Sequence, residues 1–388
     1  MKRLLVLFCI IMLQGVFINY SWAQNEIRIG LTVSESGPFS SEIGPFRKLV
    51  EAWSQDVNQK GGLKIGKDKY SLKLFIYDDK SDEATARRMY ERIAVVHKAH
   101  LMIGPYSSPL TFAATTAAEN QGIPFLAICA NSPKIYDRGF HWVVCVIDAA
   151  PRYTYRYWEM LRSEAKAKSV SFIIEDTLHP QGVFKGAKKL AEEAGIGVKS
   201  YYTVPPDMKD FSGTLVKLIH DKPDIVFVSS NVPFAIQFIN QARELRLKPK
   251  EFHVIHHGGV FRKALGKAAE NITGQSYWAE GMKKGQHERF LKFLGEAKIS
   301  LEDYPWAPAY MMAFEVIETA LAKSATVDAS ELMKTIKSLS VETIGGTVKF
   351  KPNGVGSINT YPSQIQNGKY HIIWPEEVAT AKHIYPAP

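Results

Sequence analysis

Two successive runs of alternating strand and helix patterns are the feature that most limits how this 388-residue chain can fold. The first run opens with an apolar strand pattern over 27–33, followed by apolar residues at helical spacing from Phe46 to Val57 and a stop at Gly61-Gly62. The order then recurs, with strands predicted over 72–76, 101–103 and 123–128 and helices over 84–98 and 110–120. This pattern predicts a parallel sheet with helices on both faces.

A second run of the same kind begins after Pro151 with a helix to Lys166. Strands are predicted over 170–174, 198–204, 225–229 and 252–255, and helices over 182–193, 211–220 and 233–247. A less regular tail follows, with helices near 288–296, 307–323 and 329–339 and strands near 348–350 and 370–374. The predicted fold class is therefore α/β, with two doubly wound parallel-sheet lobes that the tail completes.

The first 23 residues have the composition of a secretory signal peptide. Lys2 and Arg3 precede an apolar run over 4–18, and Ser21-Trp22-Ala23 is a cleavage pattern ahead of Gln24. The run is shorter than the roughly 20 residues that span a bilayer as a helix, and no later segment approaches that length. We expect an exported, periplasmic protein without stable membrane insertion.

The composition and the motifs of the chain argue against several other functional classes of protein. The net charge of +9 is spread along the chain without a basic block, so nucleic acid is not expected as a partner. The segment 61–68 approaches a phosphate-binding loop, but Asp68 replaces the required hydroxyl, and neither G-x-S-x-G nor G-x-G-x-x-G occurs. No cofactor, metal or catalytic activity is expected. Whether Cys129 and Cys145 form a disulfide is left open.

Small polar residues follow three strands of the first predicted sheet, over 34–41, 104–108 and 129–133. In open parallel sheets ligands bind outside the carboxyl ends of the strands, where loops lead into helix N-termini. Hydroxyl, amide and backbone N–H groups at these points suit a ligand carboxylate. The alternative is that the serine and asparagine residues only cap helices.

Several fragments in this order resemble the type I periplasmic solute-binding proteins of the leucine/isoleucine/valine-binding kind. They are Ile27-Arg28-Ile29-Gly30, Ser36-Gly37-Pro38-Phe39, Asp56-Val57-Asn58 with Gly61-Gly62, Asp78-Asp79-Lys80-Ser81-Asp82, Ile103-Gly104-Pro105-Tyr106-Ser107-Ser108 and Gly122-Ile123-Pro124. The resemblance implies two lobes that close over a ligand by hinge bending and deliver it to an ABC transporter permease. It implies crossings near 146–150, 277–281 and 344–349, which divide the chain into lobe 1 (24–147 plus 281–345) and lobe 2 (148–280 plus 346–388).

The resemblance also suggests which residues meet the ligand. The positions that hold a carboxylate in the family are here Ser107, Ser108, Cys129, Ala130 and Asn131. The family's aromatic position in the second lobe falls within 178–181, and its acidic, ammonium-binding position falls in His256-His257-Gly258-Gly259. The ligand is thus either a branched-chain or related amino acid, with Glu175 or Asp176 replacing the missing acid, or an aliphatic or aromatic acid. Its body would pack on Phe39, Tyr106, Tyr277 or Trp278.

From the second lobe we expect His179, Gln181, Asn231 or His257 to complete the site on closure. A metal site in the cluster His253, His256 and His257 is disfavoured, because the first two point to opposite faces of a strand. The leading function is a transport-coupled solute-binding protein. A ligand-sensing subunit for a membrane receptor and a secreted hydrolase are the alternatives.

Overall fold

The structure is a computed structural model that describes residues 25–278, 282 and 285–388. The predicted signal peptide lies outside the described residues. Within the described ranges, no helix combines the length and the apolar content that a membrane span requires.

The elements alternate along the chain as the sequence predicts. The strands are β1 (Asn25–Val33), β2 (Leu63–Ile65), β3 (Asp68–Asp78), β4 (Leu101–Ile103), β5 (Phe125–Ala127), β6 (Val143–Ile147), β7 (Ser169–Glu175), β8 (Gly197–Val204), β9 (Ile225–Ser229), β10 (Glu251–Val254), β11 (Thr273–Ser276), β12 (Ser340–Thr343), β13 (Gly346–Lys349), β14 (Val355–Ile358), β15 (Tyr361–Gln366) and β16 (Lys369–Ile372). The helices are α1 (Ser40–Ile43), α2 (Phe46–Gln59), α3 (Glu83–Val95), α4 (Ser108–Gln121), α5 (Pro133–Tyr136), α6 (Tyr155–Glu164), α7 (Leu178–Glu193), α8 (Ser212–Asp221), α9 (Val232–Glu244), α10 (Gly259–Leu265), α11 (His287–Ala297), α12 (Ala307–Ser324) and α13 (Ala329–Ser338). Short 3-10 turns occupy Ala150–Arg152 and Gly266–Ala269.

The strands form one sheet in each lobe, which confirms the predicted fold class. The first sheet has the order β14-β6-β5-β4-β1-β3-β2 and the second β16-β15-β11-β10-β9-β7-β8. The inner strands pair in parallel, whereas β2 in the first sheet and β15 and β16 in the second run antiparallel to a neighbour. A separate ribbon joins β12 to β13.

The inner strands of both sheets are largely apolar. Every residue of β4, β5, β6 and β9 is buried, as expected for parallel strands covered by helices on both faces. The helices end on local signals, and α4 stops where Gly122 takes a left-handed conformation with φ of 63°. The carboxyl ends of these inner strands lead directly into loops that line the space between the lobes.

Three segments connect the lobes, and the strand topology changes the predicted position of the third. The chain leaves the first sheet after β6 and reaches α6 through 148–154, and it returns after β11 through 277–286, of which 279–281, 283 and 284 are outside the described residues. The third crossing was expected near 344–349, but β14 still pairs with β6 in the first sheet. The chain therefore crosses at 359–360, and 346–358 belongs with lobe 1.

The connecting segments are tied to one another by buried polar contacts. Thr360 Oγ1 lies within hydrogen-bond distance of the Tyr153 carbonyl and 2.7 Å from Gln275 Oε1. The Asp148 carboxylate, which is 5% exposed, accepts hydrogen bonds from Arg152 Nε at 3.0 Å and Lys351 Nζ at 2.5 Å. The contact between Thr360 and Tyr153 ties the third connecting segment to the first.

Candidate ligand-binding site between the lobes

A cavity lies between the two lobes, at the carboxyl ends of both sheets. Lobe 1 lines it with Tyr106, Ser107, Ser108, Pro109, Cys129 and Trp306. Lobe 2 lines it with Thr177, His179, Pro180, Asn231 and His256, and the connecting segments add Tyr153 and Tyr277.

The N-termini of helices from both lobes reach this cavity. Helix α4 begins at Ser108 and α7 begins at Leu178, and the cap or first-turn residues of both line the space. Helix N-termini carry unpaired N–H groups and the positive end of the helix dipole, so they attract anions. The N-terminus of α9 is already occupied, because Glu175 accepts hydrogen bonds from Asn231 N at 2.6 Å and Asn231 Nδ2 at 3.1 Å.

The turn into α4 is strained. Ser107 has φ of 80° and ψ of 146°, a conformation that non-glycine residues rarely adopt, and its hydroxyl accepts a 3.4 Å hydrogen bond from Leu110 N. Ser108 is fully buried, and its hydroxyl accepts from Ser132 N at 3.3 Å, which leaves its own proton free to donate. Such strain is typical of loops that are held in place for a ligand.

Aromatic rings form much of the cavity wall. The Tyr106 and Trp306 ring centroids are 6.0 Å apart, and Trp306 Nε1 donates to the Glu42 carbonyl at 2.8 Å. Tyr153 packs edge-on against His179, with ring centroids 5.0 Å apart, and also edge-on against Tyr277, with ring centroids 6.2 Å apart. This wall suits the apolar body of a ligand.

Three buried polar atoms at the second-lobe side lack a hydrogen-bond partner among the described residues. They are Thr177 Oγ1, His179 Nε2 and His256 Nδ1. The two imidazole rings stack with centroids 5.0 Å apart and an angle of 7° between their planes. Because buried polar groups are nearly always satisfied, three unsatisfied ones on a single cavity point to a ligand that supplies the missing partners.

Burial sets the charge state of the groups around the cavity. It lowers the pKa of His179 well below the ordinary value and that of His256 to about 4, so both imidazoles are neutral at pH 7. It raises the pKa of the Cys129 thiol and raises that of Glu42, which accepts from the Tyr106 hydroxyl at 2.8 Å, to about 8. Among the described residues, no carboxylate lines the cavity.

The sequence around this cavity matches a known protein family. Residues 26–369 match the family model described as periplasmic binding protein. The chain belongs to this family.

Individual relatives of this periplasmic binding protein are distant but cover it almost fully. The leucine-specific-binding protein of Salmonella typhimurium is 22% identical over 342 residues, which are 85% of this chain and 88% of that protein. The branched-chain amino acid transporter substrate-binding protein of Streptococcus pneumoniae, solved with isoleucine, superposes with a TM-score of 0.77 at 18% identity, covering 93% of this chain and 100% of that one. A solute-binding protein of an ABC transporter from R. palustris, solved with benzoate, superposes with a TM-score of 0.74 at 19% identity, covering 94% and 97%.

Seven residues that the sequence indicated lie around the cavity: Tyr106, Ser107, Ser108, Cys129, His179, Asn231 and Tyr277. Five others do not line it: Phe39, Ala130, Asn131, Gln181 and His257. The periplasmic binding protein fold thus brings together loops from both lobes that are far apart in sequence.

The contacts of the predicted residues that do not line the cavity explain their positions. Phe39 packs edge-on behind Tyr106, with centroids 5.6 Å apart, and Ala130 is fully buried. Asn131 is 1% exposed, and both ends of its amide are engaged within the protein. Gln181 donates to Asp176 Oδ1 at 3.1 Å and lines a separate groove at the mouth of the cleft.

His257 does not line the cavity, whereas its neighbour His256 does. The His257 ring packs on Tyr370, with Nε2 3.1 Å from Ser363 Oγ, and lines a different groove. The chain turns immediately after β10, so alternation along the strand does not tell which of two adjacent histidines faces the cleft. Trp278 likewise packs away from the cavity, against Phe290.

The remaining candidates are structural. His253 is buried within the sheet, 3.0 Å from Thr273 Oγ1, and the described residues contain no group of three potential metal ligands. Cys129 and Cys145 are free thiols. Sequence reasoning missed Tyr153, Thr177 and Trp306. Of these only Thr177, which lies between a predicted strand and a predicted helix, carried a recognisable signal.

Proposed function

We propose that this periplasmic binding protein captures a small carboxylic acid in the periplasm and delivers it to an ABC transporter permease. The observation that carries the proposal is the meeting of two helix N-termini, those of α4 and α7, at one buried cavity that no acidic side chain lines among the described residues. This arrangement stabilises an anion. The two solved structures named above hold isoleucine and benzoate, both of which carry a carboxylate.

The body of the ligand would lie against the aromatic wall formed by Tyr106, Tyr153, Tyr277 and Trp306. Such a surface favours an aromatic or branched aliphatic group. The ammonium group of an α-amino acid would enter a buried space without a counter-charge, which is costly. We therefore favour an acid without an amino group, and α-amino acids are the second candidate class, supported by the neutral imidazole nitrogens that accept hydrogen bonds.

Ligand binding is coupled to the hinge through a contact between the lobes. Asn131 of lobe 1 bonds His179 of lobe 2 at 2.7 Å and also bonds the Asp148 carbonyl in the first crossing segment at 2.7 Å. A ligand that meets Ser108 on one side and His179 on the other favours the closed arrangement of the lobes. A permease then distinguishes the closed from the open shape.

The test is binding by protein purified from the periplasm after expression of the full chain. Thermal shift and calorimetry would compare 4-methylpentanoate with leucine, and benzoate with its neutral isostere benzamide. A micromolar ligand at millimolar concentration adds about 4 kcal/mol to the free energy of unfolding. We expect the acids to bind and benzamide to fail. Equal binding of benzoate and benzamide, or binding of no acid or amino acid, would contradict the proposal.

A further inference from the structure

The hydrogen-bond network around His179 determines which ring nitrogen carries the proton. Asn131 Nδ2 lies 2.7 Å from the Asp148 carbonyl, which only accepts, so the orientation of the Asn131 amide is set. Asn131 Oδ1 therefore faces His179 Nδ1 at 2.7 Å, and Nδ1 must be the donor. In a neutral imidazole, Nε2 is then an acceptor with a free lone pair.

This lone pair is presented to the ligand. His179 is 8% exposed, lines the cavity, and its Nε2 is buried without a hydrogen-bond partner among the described residues. Burial opposes protonation of the ring, as does the neighbouring His256. An unsatisfied buried acceptor destabilises the protein, and a donor on the ligand removes this cost.

The chemistry of the surroundings narrows the kind of donor. A carboxylate would repel the lone pair, and it has a better position at the N-termini of α4 and α7. An ammonium group would need a carboxylate partner at the cavity. Glu175 and Glu42 do not line it: Glu175 accepts from Asn231, and Glu42 accepts from the hydroxyl of Tyr106. A neutral hydroxyl can donate a hydrogen bond to Nε2 without the repulsion that a carboxylate would meet and without the counter-charge that an ammonium group would need.

We propose that His179 determines the specificity of this site and that the ligand is a hydroxy-substituted carboxylic acid whose hydroxyl donates a hydrogen bond to Nε2. This inference rests on the proposed function, because it assumes that the carboxylate lies at the helix N-termini. It adds a second polar group to the ligand, at the second-lobe side of the cavity.

The experiment measures dissociation constants for matched pairs of acids by calorimetry. The pairs are benzoate with its 2-, 3- and 4-hydroxy derivatives, phenylacetate with its 4-hydroxy derivative, and 4-methylpentanoate with its 2-hydroxy and 2-amino analogues. The expected result is that the tightest ligand is a hydroxy acid, bound about 10- to 100-fold more tightly than its hydroxyl-free partner. A hydroxyl-free acid or the amino acid as the tightest ligand overturns the inference and leaves the proposed function standing. Failure of every acid and the amino acid overturns both.

A pair of variants separates specificity from a structural role. His179→Asn keeps a donor toward Asn131 but does not reach the position of Nε2, whereas His179→Gln places an amide oxygen there. We expect H179N to reduce the preference for the hydroxy acid to within about 3-fold and H179Q to retain part of it. If H179N weakens both members of a pair by the same factor, His179 has only a structural role. Thermal unfolding of both unliganded variants confirms that they fold.

Discussion

A buried ion cluster around His383 holds the C-terminal segment against the second lobe. We predict that this cluster stabilises the fold less as the pH rises through about 9. His383 is 2% exposed, its Nδ1 lies 2.9 Å from Glu164 Oε2, and its Nε2 lies 2.6 Å from Glu251 Oε2. Glu251 is fully buried and also accepts hydrogen bonds from the hydroxyls of Tyr157 and Thr273. The cluster joins the C-terminal segment around His383 to α6 and β10.

The contribution of His383 to the free energy of unfolding follows from the shift in its pKa between the unfolded and the folded protein. Burial by itself would lower its pKa, but the two carboxylates outweigh burial and raise the pKa from 6.5 to about 9. The folded state therefore holds this proton more tightly than the unfolded state. The stabilisation is roughly 3 kcal/mol, is fully present below pH 6.5, and disappears as the pH rises through about 9.

The assay compares the wild type with His383→Gln by urea denaturation at pH 6, 8 and 10. Other groups that titrate in this range, such as Glu42, are common to both proteins and cancel in the difference. We expect the difference in free energy of unfolding to shrink by roughly 3 kcal/mol between pH 6 and pH 10. A difference that stays constant across this range would refute the reasoning, because it would show that His383 contributes only by packing.

Three further predictions concern the site and the hinge. Ser108→Ala should weaken binding of the ligand by about 1–3 kcal/mol in calorimetry, since it removes a buried hydroxyl donor, and unchanged affinity would exclude Ser108 from the site. Gly186→Ala should lower the melting temperature by several degrees, because its Cβ would lie 1.7 Å from the Pro151 carbonyl oxygen at the first crossing. The matched control Gly213→Ala meets no atom within 4 Å and should be neutral or stabilising, so an equal loss in both would contradict the argument. Trp306→Leu should cost an aromatic acid about 1 kcal/mol more in affinity than an aliphatic acid, and an equal loss for both would place the aromatic body elsewhere.

The regular elements were predictable because the signals for them are local. The predicted strand over 225–229 and the predicted helix over 329–339 match β9 and α13 to within one residue. The strands that were missed, including β14 and β15, carry polar residues and lack the alternation that marks a half-buried strand. Their places depend on pairing with partners more than 80 residues away, such as Gln275 opposite Pro362.

The candidate site was predictable only in part, for a related reason. In open parallel sheets ligands bind at the loops that follow the strands. Ser107, Ser108 and Cys129 were chosen on this ground, and they line the cavity. Orientation within a loop depends on what the neighbouring elements offer. Asn131 turned away from the cavity because the Asp148 carbonyl and His179 satisfy both ends of its amide.

The amino-acid sequence by itself determined two α/β lobes, the order of their elements and the edge of each sheet where a ligand would lie, since these follow from apolar periodicity and turn residues. Only the tertiary structure decided that β14 completes the first sheet, that His256 and not His257 faces the cleft, and that Tyr153 and Trp306 join its wall. Each of these depends on contacts between segments distant in the chain. Such contacts fix side-chain direction and hydrogen-bond partners, which no local pattern records.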